Sequence, residues 1–517
     1  MTFEIVFVLL SLLGMVAALI ADKMRPGMIL FSVVVLFLCA DILTPKEMLE
    51  GFSNKGMITV ALLFLVSEGI RQSGTLGQVI KKLLPQGKTT VFKAQLRILP
   101  SVAFISAFLN NTPVVVIFAP IIKHWAKSVN LPATKFLIPL SYVTILGGIC
   151  TLIGTSTNLV VHGMILEAGF EGFSMFELGK VGIFIAIAGI IYIFLFSKRL
   201  LPDARPDTAV PDEEVEEGEK LHRVEAVLGA RFPGINKKLK DFNFQRHYGA
   251  EVKEIKTRNG QRFVSNLEEV VLHEGDTLVV MADDTFIPTW GESSVFVLLT
   301  NGNEPDTTGK KKRWFALLLL VLMIVGATVG ELPVTKEMFP DIKLDMFFFV
   351  SITTIIMAWT NLFPARKYTK YISWDILITI ACAFAISKAM VNSGVADSVA
   401  KFIIGLSDDY GPHVLLAMVF IITNLFTELI TNNAAAALAF PLALSISAQL
   451  GVSPTPFFVV ICMAASASFS TPIGYQTNLI VQGIGNYKFT DFVRIGLPLN
   501  IITFLISVIL IPLIWNF

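Results

Sequence analysis

Long apolar runs separated by short polar segments make up most of the chain. Runs of about 17 or more apolar residues suit helices that cross a hydrocarbon core of roughly 30 Å. Two further apolar segments, 91–126 and 412–450, are interrupted by Asn and Thr. This pattern predicts an all-α polytopic membrane domain. Its uninterrupted runs lie at about 3–20, 27–43, 57–73, 136–167, 181–197, 314–332, 345–363, 373–390, 455–482 and 493–515.

The interruptions occur twice, in the same order. Asn110-Asn111-Thr112 divides the first segment and Thr431-Asn432-Asn433 divides the second. Further on, TLIGTSTNLVV at 151–161 returns as TPIGYQTNLIV at 471–481, 320 positions later. Interrupted apolar segments at corresponding positions of two halves indicate a transporter built from inverted repeats, with its substrate site at the interruptions.

The repeats divide the chain into three parts. Residues 1–202 form a first transmembrane repeat with a re-entrant hairpin at 94–127, and 310–517 form a second with a hairpin at 412–450. Lys and Arg cluster in alternate loops, which the positive-inside rule places in the cytoplasm. The first hairpin then enters from the cytoplasm and the second from outside. We expect a bacterial inner (plasma) membrane protein with both termini outside.

The segment between the repeats, 203–309, has a different composition. An acid-rich linker is followed by strand-like alternation at 223–228, 250–255 and 276–281. This pattern predicts a small α+β domain, and the basic residues at its membrane-proximal ends place it in the cytoplasm. With Phe232-Pro233-Gly234 and Gly275-Asp276-Thr277, it resembles the C-terminal subdomain of RCK regulators (RCK_C, or TrkA-C). The resemblance implies a nucleotide effector; a β-rich spacer without a ligand is the alternative.

Composition excludes several classes of function. The 517 residues are 54% hydrophobic and only 16% charged, against about 25% charged in soluble proteins. The net charge of +1 provides no basic excess for a nucleic-acid partner. The chain has no clustered His, Cys or carboxylate group of the kind an enzyme uses. Membrane lipid and a small solute are the partners that the composition predicts.

The interruptions carry the candidate chemistry. Broken helices are tolerated in lipid only where they are buried in protein or line a watery cavity. Their free N-termini suit an anion, and the amide oxygens of Asn111 and Asn432 suit a small cation such as Na⁺. No Lys or Arg lies in either motif, so anion binding should depend on the cation. Neutral donors are supplied by Thr112, Thr155, Thr157 and Asn433.

Outside the central insert, the order of these motifs resembles the divalent anion/sodium symporter family. The motifs are NNT at 110–112, GGICTLIGTSTN at 147–158, TNN at 431–433 and TPIGYQTN at 471–478. The resemblance implies a homodimer in which a transport domain moves as an elevator and carries anions with Na⁺. It implies one Na⁺ site at Ser106, Asn110, Asn111 and Gly154. It implies a second at Thr427, the Ile430 carbonyl, Asn432 and Gly474.

Departures from the family pattern bear on the substrate. Asn110 and Asn433 replace shorter hydroxyl residues, and Tyr475 and Gln476 replace Thr and Pro. The Gly-Tyr-Gln-Thr-Asn form at 474–478, together with the RCK-like insert, resembles the family's sulfate-transporting branch. We therefore expect a sodium/sulfate symporter. The alternative is a sodium/dicarboxylate symporter of the succinate type, and a more distant one is an RCK-gated channel, although a Thr-Val-Gly-Tyr-Gly filter is lacking. The expected substrate-binding residues are Asn110, Asn111, Thr112, Thr155, Ser156, Asn432, Asn433, Tyr475 and Gln476.

Four other polar residues lie in apolar segments. Glu428 either tunes a cation site or is a hydrogen-bonded structural acid, and the sequence supports both. Glu68 and Lys388 occupy equivalent positions, and we favour two unrelated groups, either snorkelling or locally bonded, over an ion pair between the halves. His162 is expected to be a packing residue rather than a proton relay.

Overall fold

The computed structural model describes residues 3–21, 24–203, 222–229, 231–257, 261–283, 286–290, 295–300, 310–339, 342–406 and 411–517. Most of the predicted acid-rich linker lies outside these residues.

The first half is a series of helices whose bounds follow the apolar runs. Several begin at a side-chain cap: Thr44 accepts from the backbone N–H of Glu47, and Asn54 accepts from that of Gly56. Such caps satisfy backbone donors that a helix start leaves unpaired. The helices are α1 Phe3–Ala21, α2 Pro26–Cys39, α3 Pro45–Glu50, α4 Lys55–Gln72, α5 Thr75–Leu83, α6 Val91–Ser106, α7 Asn111–Ser128, α8 Leu137–Gly148, α9 Ser156–Glu167 and α10 Gly179–Leu200.

The second half repeats this order of helices. α4 and α5 correspond to α17 and α18, and each pair is joined at a glycine with positive φ, Gly74 (71°) and Gly394 (74°). Glycine adopts this conformation at the lowest cost because it has no Cβ atom. The helices are α13 Lys310–Gly330, α14 Pro333–Met338, α15 Met346–Trp359, α16 Tyr368–Tyr371, α17 Trp374–Asn392, α18 Val395–Leu406, α19 Gly411–Leu429, α20 Asn432–Leu450, α21 Thr455–Ser466, α22 Gln476–Gly485 and α23 Phe489–Ile514.

The described residues include seven helices that are long and apolar enough to cross a membrane. This confirms a polytopic helical membrane protein. The predicted hairpins divide at the expected tips, between α6 and α7 and between α19 and α20. The apolar runs 136–167 and 455–482 are not single helices, because Gly-containing segments interrupt each. The seven helices are Pro45–Gln72, Gly179–Leu200, Lys311–Gly330, Trp374–Asn392, Gly411–Leu429, Asn432–Leu450 and Phe489–Ile514.

The insert contains an antiparallel five-stranded sheet in the order β3-β2-β4-β1-β5, with short helices α11 Phe244–Tyr248 and α12 Phe286–Trp290. The three predicted strands are confirmed within one residue. The sequence reading missed β3, which has only two residues, and β5, which follows a polar segment. The strands are β1 His222–Leu228, β2 Glu251–Lys256, β3 Arg262–Phe263, β4 Thr277–Ala282 and β5 Phe296–Thr300.

Both faces of the sheet are covered. Successive side chains of a strand point to opposite faces. Leu278 and Val280 of β4 face an aromatic core that includes Phe232, whereas Thr277 and Val279 face the other way and are also buried. The second face must therefore be covered by something outside the insert.

The membrane helices supply this cover. Val227 of β1 packs into the transmembrane core, and Lys123 of α7 forms a 2.9 Å ion pair with Glu225. Burial alone would raise the pKa of the Glu225 carboxyl, but Lys123 and then Lys256 hold it at about 2. Thr277 lies directly against Gly483 of α22. The insert is therefore docked on α7 and α22.

Candidate functional site

Four interruptions of helices define the candidate site. Two are the hairpin tips, at 107–110 and 430–431, and two are the unwound segments at 149–155 and 467–475. Unwound backbone exposes N–H and C=O groups that must find partners in a membrane protein. Side-chain contacts join each tip to the other half, at an unwound segment or at the start of the helix that follows it.

The first tip contacts the second unwound segment. Asn111, which is 1% exposed, donates from Nδ2 to the hydroxyl of Tyr475 at 2.6 Å. Thr112 Oγ1 donates to Gln476 Oε1 at 3.3 Å. The latter pair is exposed, so it lies where a solute can reach it.

The second tip contacts the start of α9, immediately after the first unwound segment. Asn432 Nδ2 donates to Thr157 Oγ1 at 2.7 Å. Asn433 Oδ1 accepts from the hydroxyls of Ser156 and Thr157, each at 3.2 Å. The Ser156–Asn433 contact is the counterpart of Thr112–Gln476 in the other half, so the two halves meet through equivalent pairs.

The structure brings three of the four residues of the first predicted Na⁺ site together. Ser106 Oγ donates to Asn111 Oδ1 at 2.8 Å. A Cβ atom on Gly148 would lie 2.6 Å from Asn111 Oδ1 and 3.1 Å from the carbonyl oxygen of Gly154. Hydroxyl, amide and carbonyl oxygens therefore lie close together, and oxygens are the ligands that a hard cation prefers.

The fourth residue, Asn110, lines a cleft between the first tip and helices α4 and α13, together with Ser156. Both side chains are half-buried, and they add polar groups to a largely apolar wall. The cleft therefore brings two polar side chains of the predicted set to one wall. The rest of the wall is Val60, Leu63, Val66, Ser67, Phe108, Leu109, Ile153, Leu159, Leu320 and Met323.

The second predicted Na⁺ set is arranged around Gly474. A Cβ atom there would clash with the carbonyl oxygen of Thr427 and with Ser468 Oγ. Thr427 Oγ1 itself donates to the Ala465 carbonyl at 2.6 Å, so its backbone oxygen is the atom that faces Gly474. Ile430 is buried at the end of α19, and Asn432 begins α20.

Asn158 and Asn478, to which the sequence analysis assigns no role, each form a hydrogen bond that stabilises one unwound segment. Asn158 Nδ2 donates to the Thr151 carbonyl at 2.8 Å, and Asn478 Nδ2 donates to the Thr471 carbonyl at 3.1 Å. Thr151 and Thr471 also accept, through Oγ1, from the N–H of the glycine three residues later, at 3.2 and 3.3 Å. The repeated Thr and Asn, seven positions apart in both motifs, were the available signal.

Two of the remaining polar residues are also placed. Glu68 bonds to Arg71 and Gln72 on its own helix, which confirms local bonding over an ion pair between the halves. His162 packs beside Gly172, with no partner for Nδ1 among the described residues. This environment is that of a packing residue.

Comparisons with known proteins agree with this architecture. The family model described as "Citrate transporter" matches residues 16–448 and 343–517. An uncharacterized transporter of Synechocystis sp. is 30% identical, over 94% of this chain and 93% of its own length. The uncharacterized transporter YfbS of Escherichia coli is 25% identical over 99% of this chain and 100% of its own. Sodium/sulfate cotransporter 1 of Chlamydomonas reinhardtii is 22% identical over 93% of this chain and 86% of its own.

Proposed function

We propose that this chain, which belongs to the citrate transporter family, is a sodium-coupled symporter of a small divalent oxyanion, most specifically sulfate. The observation that carries the proposal is that each tip contacts the opposite half at an unwound segment or at the start of the helix that follows it. Amide and hydroxyl groups from both halves then surround one region without a Lys or Arg in either motif.

Neutral groups favour coupling to a cation. A divalent anion held only by hydroxyls, amides and helix N-termini gains affinity when a cation binds beside it. The oxygens around Gly148 and Gly474 supply two such places. Similarity to a sodium/sulfate cotransporter supports Na⁺ as this cation.

The large side chain of Tyr475 favours a small anion such as sulfate. Tyr475 closes the site from the second half, since its hydroxyl reaches Asn111. A tetrahedral anion needs donors that converge on one centre, whereas a dicarboxylate needs two separate donor sets. The second candidate is a carboxylate substrate such as succinate or citrate, which the description of the matching family favours.

Alternating access by an elevator movement, inverted orientation of the repeats and a homodimer are parts of the same proposal. So are both termini outside and a cytoplasmic insert in a bacterial inner membrane. They rest on the family resemblance and on the loop charges. A nucleotide effector at the insert rests on the RCK_C resemblance alone.

Uptake into proteoliposomes tests the function. Radiolabelled sulfate, succinate and citrate are each supplied with an inward Na⁺ gradient, and with choline in place of Na⁺. We expect Na⁺-dependent sulfate uptake and weak competition by succinate. If succinate competes as well as unlabelled sulfate, the proposed substrate is a dicarboxylate rather than sulfate. Equal uptake with choline in place of Na⁺ would contradict the proposed sodium coupling.

A further inference from the structure

Glu428, in the last turn of α19, reaches across to the second unwound segment. Its carboxylate accepts from the backbone N–H of Ser470 at 2.9 Å and from Asn500 Nδ2 at 2.7 Å. It also accepts from Ser468 Oγ at 3.4 Å. All three of these partners are neutral, so none of them compensates a negative charge on the carboxylate.

Ser468 connects this charge to the second predicted cation site. Its Oγ lies 3.4 Å from the carbonyl oxygen of Thr427 as well as 3.4 Å from Glu428 Oε2. The same two atoms, Ser468 Oγ and Thr427 O, are those that a Cβ on Gly474 would strike. One hydroxyl therefore separates the carboxylate from the oxygens around Gly474.

The first half has no such charge. Ala107 stands where Glu428 stands in the second half, and Gly148 stands in place of Ser468. The position of Asn500 is taken by Lys180, which pairs with Glu177 at 2.6 Å. The first cation set therefore consists of neutral oxygens alone.

We infer that Glu428 is a positioning residue that makes the two cation sites unequal, so that the site around Gly474 binds Na⁺ more tightly. The inference rests on the proposed sodium coupling. A carboxylate within a membrane domain is costly unless it is paired, and its attraction for a cation is strong where water is scarce. A Na⁺ ion at the second site would offset that cost, and the first site offers no equivalent gain.

The test measures Na⁺ binding directly. The melting temperature of the purified full chain is followed as Na⁺ replaces choline at constant ionic strength without anion, and Na⁺-dependent uptake is titrated in parallel. We expect E428Q to raise the half-saturating Na⁺ concentration at least about tenfold, because one full charge is lost near the site. E428D should restore most of the affinity.

Two controls separate charge from structure. N500A removes a donor to the same carboxylate but keeps its charge, so half-saturating Na⁺ should stay within about threefold even where melting temperature falls. E68Q makes the same change at an acid bonded to Arg71 and should leave Na⁺ binding unchanged.

The inference is overturned if E428Q and N500A lower the melting temperature alike and leave half-saturating Na⁺ unchanged. If E428Q does not fold, E428N decides, because it removes the same charge with a shorter neutral amide. Unchanged Na⁺ affinity in E428N would then overturn the inference. Absence of any Na⁺ effect on the unsubstituted protein would instead overturn the proposed coupling.

Discussion

Thr155 Oγ1 and the hydroxyl of Tyr475 lie 2.9 Å apart and share a hydrogen bond, although the two residues are 320 positions apart. They occupy the same position in the two repeated motifs, and both are buried. Residues related by a two-fold operation can touch only if they lie close to its axis. In the inverted-repeat arrangement proposed above, the candidate site therefore surrounds the axis that would relate the two halves.

The amides at the two tips are predicted to control sodium dependence. Asn111→Ala and Asn432→Ala each remove a proposed oxygen ligand, so both should raise the half-saturating Na⁺ concentration and reduce sulfate uptake about tenfold or more. Na⁺ titration of uptake in proteoliposomes measures this effect. Asn392→Ala, at the end of α17 and bonded to the Ile42 carbonyl, is the control and should leave the titration unchanged. If the Na⁺ titrations of both tip variants match that of the unsubstituted protein, both proposed sites are contradicted.

Tyr475 is predicted to set anion size as well as affinity. Tyr475→Phe keeps the ring but leaves Asn111 Nδ2 without its partner, at a cost of roughly 1–3 kcal/mol. Melting temperature and sulfate affinity should fall, while selectivity against succinate is retained. Tyr475→Thr should open the gap and allow succinate to compete. The measurement is competition of succinate with labelled sulfate in both variants. Equal selectivity of Tyr475→Phe and Tyr475→Thr would argue against a role for the size of the ring.

The contact between the insert and α7 is predicted to depend on the Glu225 charge. Its folded-state pKa of about 2 lies below the ordinary 4.5, so the stabilisation is complete above about pH 4.5 and is lost as pH falls toward 2. Glu225→Gln should lower the melting temperature by a constant amount between pH 5 and 8, and by less at pH 3. Melting curves at these pH values provide the measurement.

Lys123→Met should reproduce the loss at neutral pH, because it removes the other charge of the same pair. Point substitutions suit this question better than deletion of the insert, which would also uncover the apolar contact of Val227. A pH-independent difference between the unsubstituted protein and Glu225→Gln down to pH 3 would show that the charge does not hold the contact.

The glycines at the two unwound segments are predicted to tolerate no side chain. Gly154→Ala would drive a methyl group into the Gly148 backbone, and Gly474→Ala would strike the Thr427 carbonyl. Each should destabilise the protein by about 1–3 kcal/mol and abolish Na⁺-dependent uptake. Gly405→Ala is the matched control, because its added carbon meets nothing within 4 Å. Thermal unfolding and uptake of the three variants test this, and wild-type behaviour of Gly474→Ala would contradict the close packing described.

Local pattern was sufficient for most of the secondary structure. The positions of the membrane helices follow from apolar runs long enough for a hydrocarbon core, and both hairpin tips follow from Asn and Thr within such runs. The three longest strands of the insert follow from alternation. β3 and β5 were missed because their pairing with neighbouring strands, rather than their own sequence pattern, determines them.

The amino-acid sequence by itself determined where the helices lie, where they break and which residues repeat, because these depend on neighbours a few positions apart. Only the tertiary structure decided which groups meet. Three contacts join residues that are far apart in the chain. They are the hydrogen bond from Asn111 to Tyr475, the bond from Asn500 to Glu428, and the ion pair of Lys123 in α7 with Glu225 of the insert. Such contacts depend on how whole helices and sheets pack, and a buried polar group takes whichever partner that packing brings within reach.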